Sequence, residues 1–196
     1  MAYRYQDLDD QRFQKLCQSL LVIVFPNVQC LPVRQSDGGR DAVVRQPGNP
    51  SERVIYQVKW TADHRAHPDP VKWLEGTIAG EHKNIQRLVK EGAQQYVLMT
   101  NMPSTAHPKG GRLDRLDRTL DTLSKSYGIP MSCWWRDELD RRMDLAPDAL
   151  KLSYPDVLTG FDAFRAWLEN SRENQRAREL DKVLKAVLAT QWANDR

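Results

Sequence analysis

The sequence predicts an α/β protein, with a central mixed sheet flanked by helices and a helical extension at the carboxyl end. Three observations predict it. Residues 8–21 place Phe13, Leu16, Cys17, Leu20 and Leu21 at helical spacing, which makes one apolar stripe. Residues 41–44 and 53–60 are short runs rich in β-branched and aromatic residues, separated by the turn formers Pro47, Gly48, Asn49, Pro50 and Ser51. Residues 95–102 form a near-continuous apolar run between two helical patterns, as a strand buried on both faces does.

The size and charge of the chain bound what it can be. Its 196 residues, 40% hydrophobic and with six Trp, suffice for one core with a helical appendage. A net charge of +3 permits nucleic-acid binding without requiring it. The longest apolar run, residues 20–25, is core-sized, so no membrane span or membrane partner is expected. Asp7, Asp9 and Asp10 are unlike a secretory signal. Cys17, Cys30 and Cys133 are scattered, odd in number and set among apolar residues. They are expected as reduced core thiols of a cytoplasmic protein, not as a zinc site or a disulfide framework.

Taken in order, the first helix (8–21) has its aspartates where they complement the helix dipole. Pro26 and Asn27 end that run, and a first strand over 28–33 follows, with Pro32 placing it at an edge. The hairpin comes next, then a polar loop over 61–70 in which Pro68 and Pro70 argue against a helix around His64 and His67. One helix is expected over 70–91, with Pro70 in its first turn, the stripe Leu74, Ile78, Ile85, Leu88 and Val89, and Gly92 as its stop. The strand over 95–102 should return parallel to the hairpin through a right-handed crossover. In the helix over 112–127, Arg112, Arg115 and Arg118 interleave with Asp114, Asp117 and Asp121, which favours salt bridges over a basic track. A strand over 129–135 and a helix over 136–145 complete the order α-β-β-β-α-β-α-β. Beyond it, Pro147 and Pro155 bracket a linker, and 161–192 reads as a helix whose distal stripe, Leu180, Val183, Leu184, Val187 and Leu188, asks for a partner. The division expected is a domain over 1–145 and a linker with helical extension over 146–196.

The hairpin carries the chemistry. A turn centred on Asn49 sets Asp41 opposite Gln57 and Gly39 opposite Lys59. Alternation along the strand puts Gln57 and Lys59 on one face and Val58 on the other. A carboxylate, an amide and an ammonium then converge, which suits phosphodiester hydrolysis. Asp41, the Gln57 amide oxygen and the Val58 backbone carbonyl are hard oxygen donors for a divalent cation. Lys59 can orient the attacking water or neutralise charge on phosphate oxygens. Gly38 and Gly39 let the backbone bend close to a ligand.

Asp37-Gly38-Gly39-Arg40-Asp41, then fifteen residues, then Gln57-Val58-Lys59 resembles the core of the restriction-endonuclease-like PD-(D/E)xK superfamily, and within it the Mrr-like branch with its DGGxD…QxK pattern. The resemblance implies a restriction-endonuclease-like core through residue 145 and an Mg²⁺-dependent (or Mn²⁺-dependent) endonuclease acting on double-stranded DNA. It makes Asp41 the metal-binding aspartate and Lys59 the catalytic lysine. Gln57 stands where most of the superfamily has Glu or Asp, which leaves the metal one negative charge short. By the resemblance Gln14 can face the site from the first helix, a solvated helix residue being the alternative, with Asp37 and Gly39 as supporting residues. Arg40, His64, Lys72 and Lys109 are the candidate DNA contacts, joined by Ser104, Thr105 and His107; a solvated mixed-charge helix face is the alternative for Lys72, and His64 reads as a solvated loop residue near phosphate.

Mrr-like modules commonly begin large bacterial defence proteins, including antiphage STAND-type ATPases. The implied role is therefore the effector of a defence or restriction system, as a homo-oligomer or joined to a sensor ATPase domain. No G-x-x-x-x-G-K-[ST] motif occurs in the chain itself. The alternative is a catalytically degenerate nuclease-fold module that acts in DNA binding or oligomerisation.

Overall fold

The computed structural model describes residues 3–34, 38–46, 49–104 and 112–194. The chain falls into two compact units, Met1–Ala146 and Pro147–Arg196.

In the first unit, helix α1 (Asp10–Val24) starts where the Asp9 side chain accepts from the Arg12 amide at 2.7 Å, and it buries Phe13, Leu16, Cys17, Gln18, Leu20 and Leu21. Five strands follow the chain order across the sheet: β1 (Gln29–Cys30), β2 (Ala42–Gln46), β3 (Asn49–Lys59), β4 (Ala93–Thr100) and β5 (Met131–Trp134). The first two pairings are antiparallel and the last two parallel, so the sheet is mixed and open. Helices α2 (Pro70–Gly80) and α3 (His82–Lys90) connect β3 to β4, α4 (Arg112–Tyr127) connects β4 to β5, and α5 (Arg136–Leu145) closes the unit. Parallel neighbours need such crossovers, which is why strand and helix alternate here.

Register decides which residues share a face. Val43 pairs with Ile55, Ile55 with Tyr96, and Tyr96 with Met131. These side chains form one core with Leu74 and Ile78 of α2, Ile85 and Leu88 of α3, and Leu116 of α4. Tyr56 lies on the opposite face, in ring contact with Phe25 and Trp134. Gln57 pairs with Leu98 and Lys59 with Thr100, so both belong to the face that carries α2 to α4.

The structure corrects several expectations. The first strand is two residues long, because Pro32 and the left-handed backbone of Arg34 (φ 70°) turn the chain away from the sheet. The hairpin does not turn at Asn49, which belongs to β3 with Pro50 and Ser51. Gln46 pairs with Asn49, and a register shift between Arg45 and Gln46 absorbs the extra residues on β3. Downstream of that shift the pairing is the one a turn centred on Asn49 would give. The single helix expected over 70–91 is two, broken at Glu81 (φ −95°, ψ 4°), whose amide donates to Ile78 O at 3.1 Å. The loop over 61–70 holds a 3-10 turn, His64–Ala66, capped by Asp63.

The second unit contains α6 (Asp148–Ser153), a 3-10 turn (Pro155–Val157) and the long α7 (Gly160–Asn194), with α6 packed against α7. The segment expected as a linker is therefore helical. Pro147 and Pro155 stand at helix starts, where a missing N–H costs nothing. Among the described residues, no helix is long and apolar enough to cross a membrane.

Candidate functional site

At the end of the sheet where β2 begins and β3 finishes, the ladder gives way to side chains. The Asp41 amide donates to Tyr56 O at 2.8 Å, and Asp41 O accepts from the Leu31 amide at 2.8 Å. Beyond Ala42 the strand pairing stops, and the Val58 N–H is taken up by the Asp41 carboxylate at 2.6 Å. Asp41 is buried, only 4% exposed. Its carboxylate is thus pinned across the hairpin, between the strand positions of Gln57 and Lys59.

Gln57 is 6% exposed, and its Oε1 is buried with no hydrogen-bond partner among the described residues. An amide oxygen held that way costs about 1–3 kcal/mol unless something bonds it, so it marks a place for a water or a cation.

Lys59 Nζ donates to Glu81 Oε1 at 2.5 Å, and Glu81 Oε2 accepts from Asn84 Nδ2 at 2.7 Å. Burial pushes the Glu81 carboxyl up, but the hydrogen bonds from Lys59 and Asn84 and the lysine charge outweigh it and hold the group below its ordinary value. A carboxyl depressed in the folded state adds stability in full above its ordinary pKa and loses it as pH falls through the folded one. Melting temperatures of the wild type and Glu81→Gln should therefore differ most near neutrality and draw together as pH falls below the ordinary carboxylate range. A gap that stayed constant across that range would mean the ion pair does not form in solution.

The turn before Asp41 is set by glycine. Gly38 (φ +63°) and Gly39 (φ +81°) occupy the left-handed region that other residues rarely adopt. Gly38 O accepts from Arg87 Nη2 at 2.6 Å, and Arg87 also donates to Glu91 Oε1 at 2.7 Å.

From α1 the residue that reaches this region is Gln18, one turn beyond the expected Gln14. Gln18 Nε2 donates to Leu31 O at 2.8 Å and Asp41 O at 2.9 Å, while Gln14 is half-buried and makes neither bond. His64 lies half-buried in its 3-10 turn and Lys72 is exposed on α2. Among the described residues, no hydrogen bond or ion pair ties either to Asp41, Gln57 or Lys59. Arg40 is half-buried beside Asp41. Ser104 donates to Asp137 Oδ2 at 2.8 Å. Asp37, Thr105, His107 and Lys109 lie outside the described residues.

Sequence reasoning missed Gln18, Glu81, Asn84 and Arg87. Arg87 read as a candidate phosphate contact or part of a solvated mixed-charge helix face, Glu81 as part of that face, and Asn84 carried no signal; the adjacent Gly80, a poor helix former, was the one local sign of a break.

The donors test which metal the site could take. Among the described residues, no group of three or more His, Cys, Asp or Glu could hold an ion. Burial pushes the Cys17 and Cys133 thiols well up, and the Asp41 charge adds to the effect at Cys17. What remains is a buried carboxylate just before β2 and, on β3, an amide oxygen without a partner among the described residues. Both are hard oxygen donors, and they fit Mg²⁺ or Mn²⁺ rather than zinc. Compared with known proteins, the chain matches no family model, no curated protein and no solved structure.

Proposed function

We propose that the unit Met1–Ala146 is a restriction-endonuclease-like, Mrr-like nuclease domain that hydrolyses double-stranded DNA with Mg²⁺ or Mn²⁺, as a cytoplasmic effector of bacterial antiphage defence or restriction. One observation carries the reading: the register ending at Ala42–Tyr56 and the Val58 N–H bond to the Asp41 carboxylate bring buried Asp41 level with Gln57, whose Oε1 lacks a partner among the described residues, with Lys59 two residues on.

Asp41, Gln57 and the Val58 backbone carbonyl would hold the cation, which when bound polarises the scissile phosphate and lowers the pKa of its water. Lys59 presents an ammonium to the phosphate oxygens that gain charge, and it orients the water that attacks phosphorus. Gln57 gives this site one negative charge fewer than a Glu would, so the substrate phosphate supplies part of the charge that retains the cation. Tight binding of metal and of DNA are coupled on this account.

Supercoiled plasmid incubated with Mg²⁺ or Mn²⁺, against EDTA, tests the reading. Nicking and linearisation that need the metal are expected. If neither the chain nor a version dimerised by fusion at its carboxyl end cuts, the reading fails; DNA retention without cutting would leave the degenerate binding module in its place.

In the second unit, α7 leaves Phe164, Trp167 and Leu180 more than half exposed. Exposed apolar side chains of this size suit a helix that meets another copy or a sensor domain. Truncation at Pro155 should then lower the assembled mass seen by light scattering, and an unchanged mass would remove α7 from that role.

A further inference from the structure

Both halves of the site are tied to one helix. Glu81 caps the start of α3, and Asn84 and Arg87 follow at spacings of three, which places the three side chains along one face. Glu81 meets Lys59 at 2.5 Å. Arg87 holds Gly38 O at 2.6 Å, three residues before Asp41. Asn84 joins the two ends: it donates to Glu81, and its Cβ lies 2.6 Å from where a Cβ on Gly39 would sit. We propose that Glu81, Asn84 and Arg87 are positioning residues that set the separation of Asp41 and Lys59, so that this face of α3 braces the open end of the hairpin. The geometric claim stands on these contacts, and only its catalytic consequence rests on the nuclease reading.

The details favour a brace over a latch that holds Lys59 away from substrate. Both carboxylate oxygens of Glu81 are engaged, one by Lys59 and one by Asn84, which makes it a fixed platform. An ammonium has three donors and Glu81 accepts one, so Lys59 is aimed without being exhausted. The break between α2 and α3 falls at Glu81 itself, whose backbone leaves the helical range there. Arg87 is anchored in turn by Glu91, which also pairs with Arg53 of β3 at 3.7 Å. The helix is therefore fastened to the strand that carries Gln57 and Lys59.

The test uses the full chain and two variants. The Val58 N–H is donated to Asp41 Oδ2, so its hydrogen exchange reports where that carboxylate stands. In Arg87→Ala, Val58 exchange should accelerate about tenfold while the β4 amides keep their rates. Unchanged Val58 exchange, or acceleration in step with β4, overturns the brace. In Glu81→Gln, kcat for plasmid cutting should fall about a hundredfold with KM for DNA within about twofold. A rise in kcat overturns the proposal, since Glu81 would then be restraining Lys59. If neither the wild type nor its carboxyl-terminally dimerised form cuts, the nuclease reading fails, and the exchange measurement alone decides the brace.

Discussion

Asp41→Asn should abolish metal-dependent plasmid cutting, by about a thousandfold or more, while the protein keeps its melting temperature to within a few degrees. The substitution is chosen from the geometry. The Asp41 carboxylate accepts the buried Val58 N–H at 2.6 Å, so Asp41→Ala would orphan that donor and cost about 1–3 kcal/mol before any chemistry is tested. Asparagine keeps an oxygen for the Val58 amide and removes only the charge that a cation needs. Lys59→Met makes the matching test from the other side. It keeps the apolar stem, removes the ammonium, and should cost about a hundredfold to a thousandfold in cutting. It also leaves the Glu81 carboxyl without its principal counter-charge, so that group should titrate higher than in the wild type. Both variants can be followed by carboxyl NMR as well as by cutting. Near-normal cleavage by either would remove Asp41 and Lys59 from the chemistry.

How much of this was legible in the sequence follows from what each signal depends on. The level of Asp41 against Gln57 followed from a turn centre taken at Asn49 among the turn formers, not from alternation, because Val43-Val44 and Val54-Ile55-Tyr56 are continuous apolar runs; the observed Ala42–Tyr56 pair has the register that centre gives. The same register survived although the turn lies elsewhere, since the shift near Gln46 takes up residues at the far end of the hairpin. The bounds of α4 and α5 were legible because Gly128, in the left-handed region at φ 72°, stops one pattern and Trp135 precedes the other. The role of Glu81 was not legible. A helical period continues from Leu74 through Leu88 across the break, so periodicity alone cannot show that the chain stops being helical at Glu81. Gln18 was missed for another reason. A polar residue in an apolar stripe shows its purpose only when the Leu31 and Asp41 carbonyls it bonds are known. Local pattern specified the strands; the long-range polar contacts that finish the site required the fold.

Gly39→Ala should destabilise the first unit by about 3 kcal/mol, from two sources that act together. A non-glycine residue at φ +81° costs roughly 1–2 kcal/mol in backbone conformation. The new methyl would also stand 2.6 Å from Asn84 Cβ, and forcing that contact apart adds about 1–3 kcal/mol. Asn84 cannot simply swing away, because the clash is with its Cβ, which is fixed by the α3 backbone. For a unit of this size the melting temperature should fall by about 10 °C. The second substitution separates the sources. Asn84→Gly removes the Cβ that the methyl meets, so in Gly39→Ala/Asn84→Gly the steric part should vanish and the two changes should couple favourably by about 1–3 kcal/mol. Strict additivity in that cycle would mean that the turn moves off α3 at no cost. The brace between α3 and the Asp41 turn would then be too soft to set the geometry of the site.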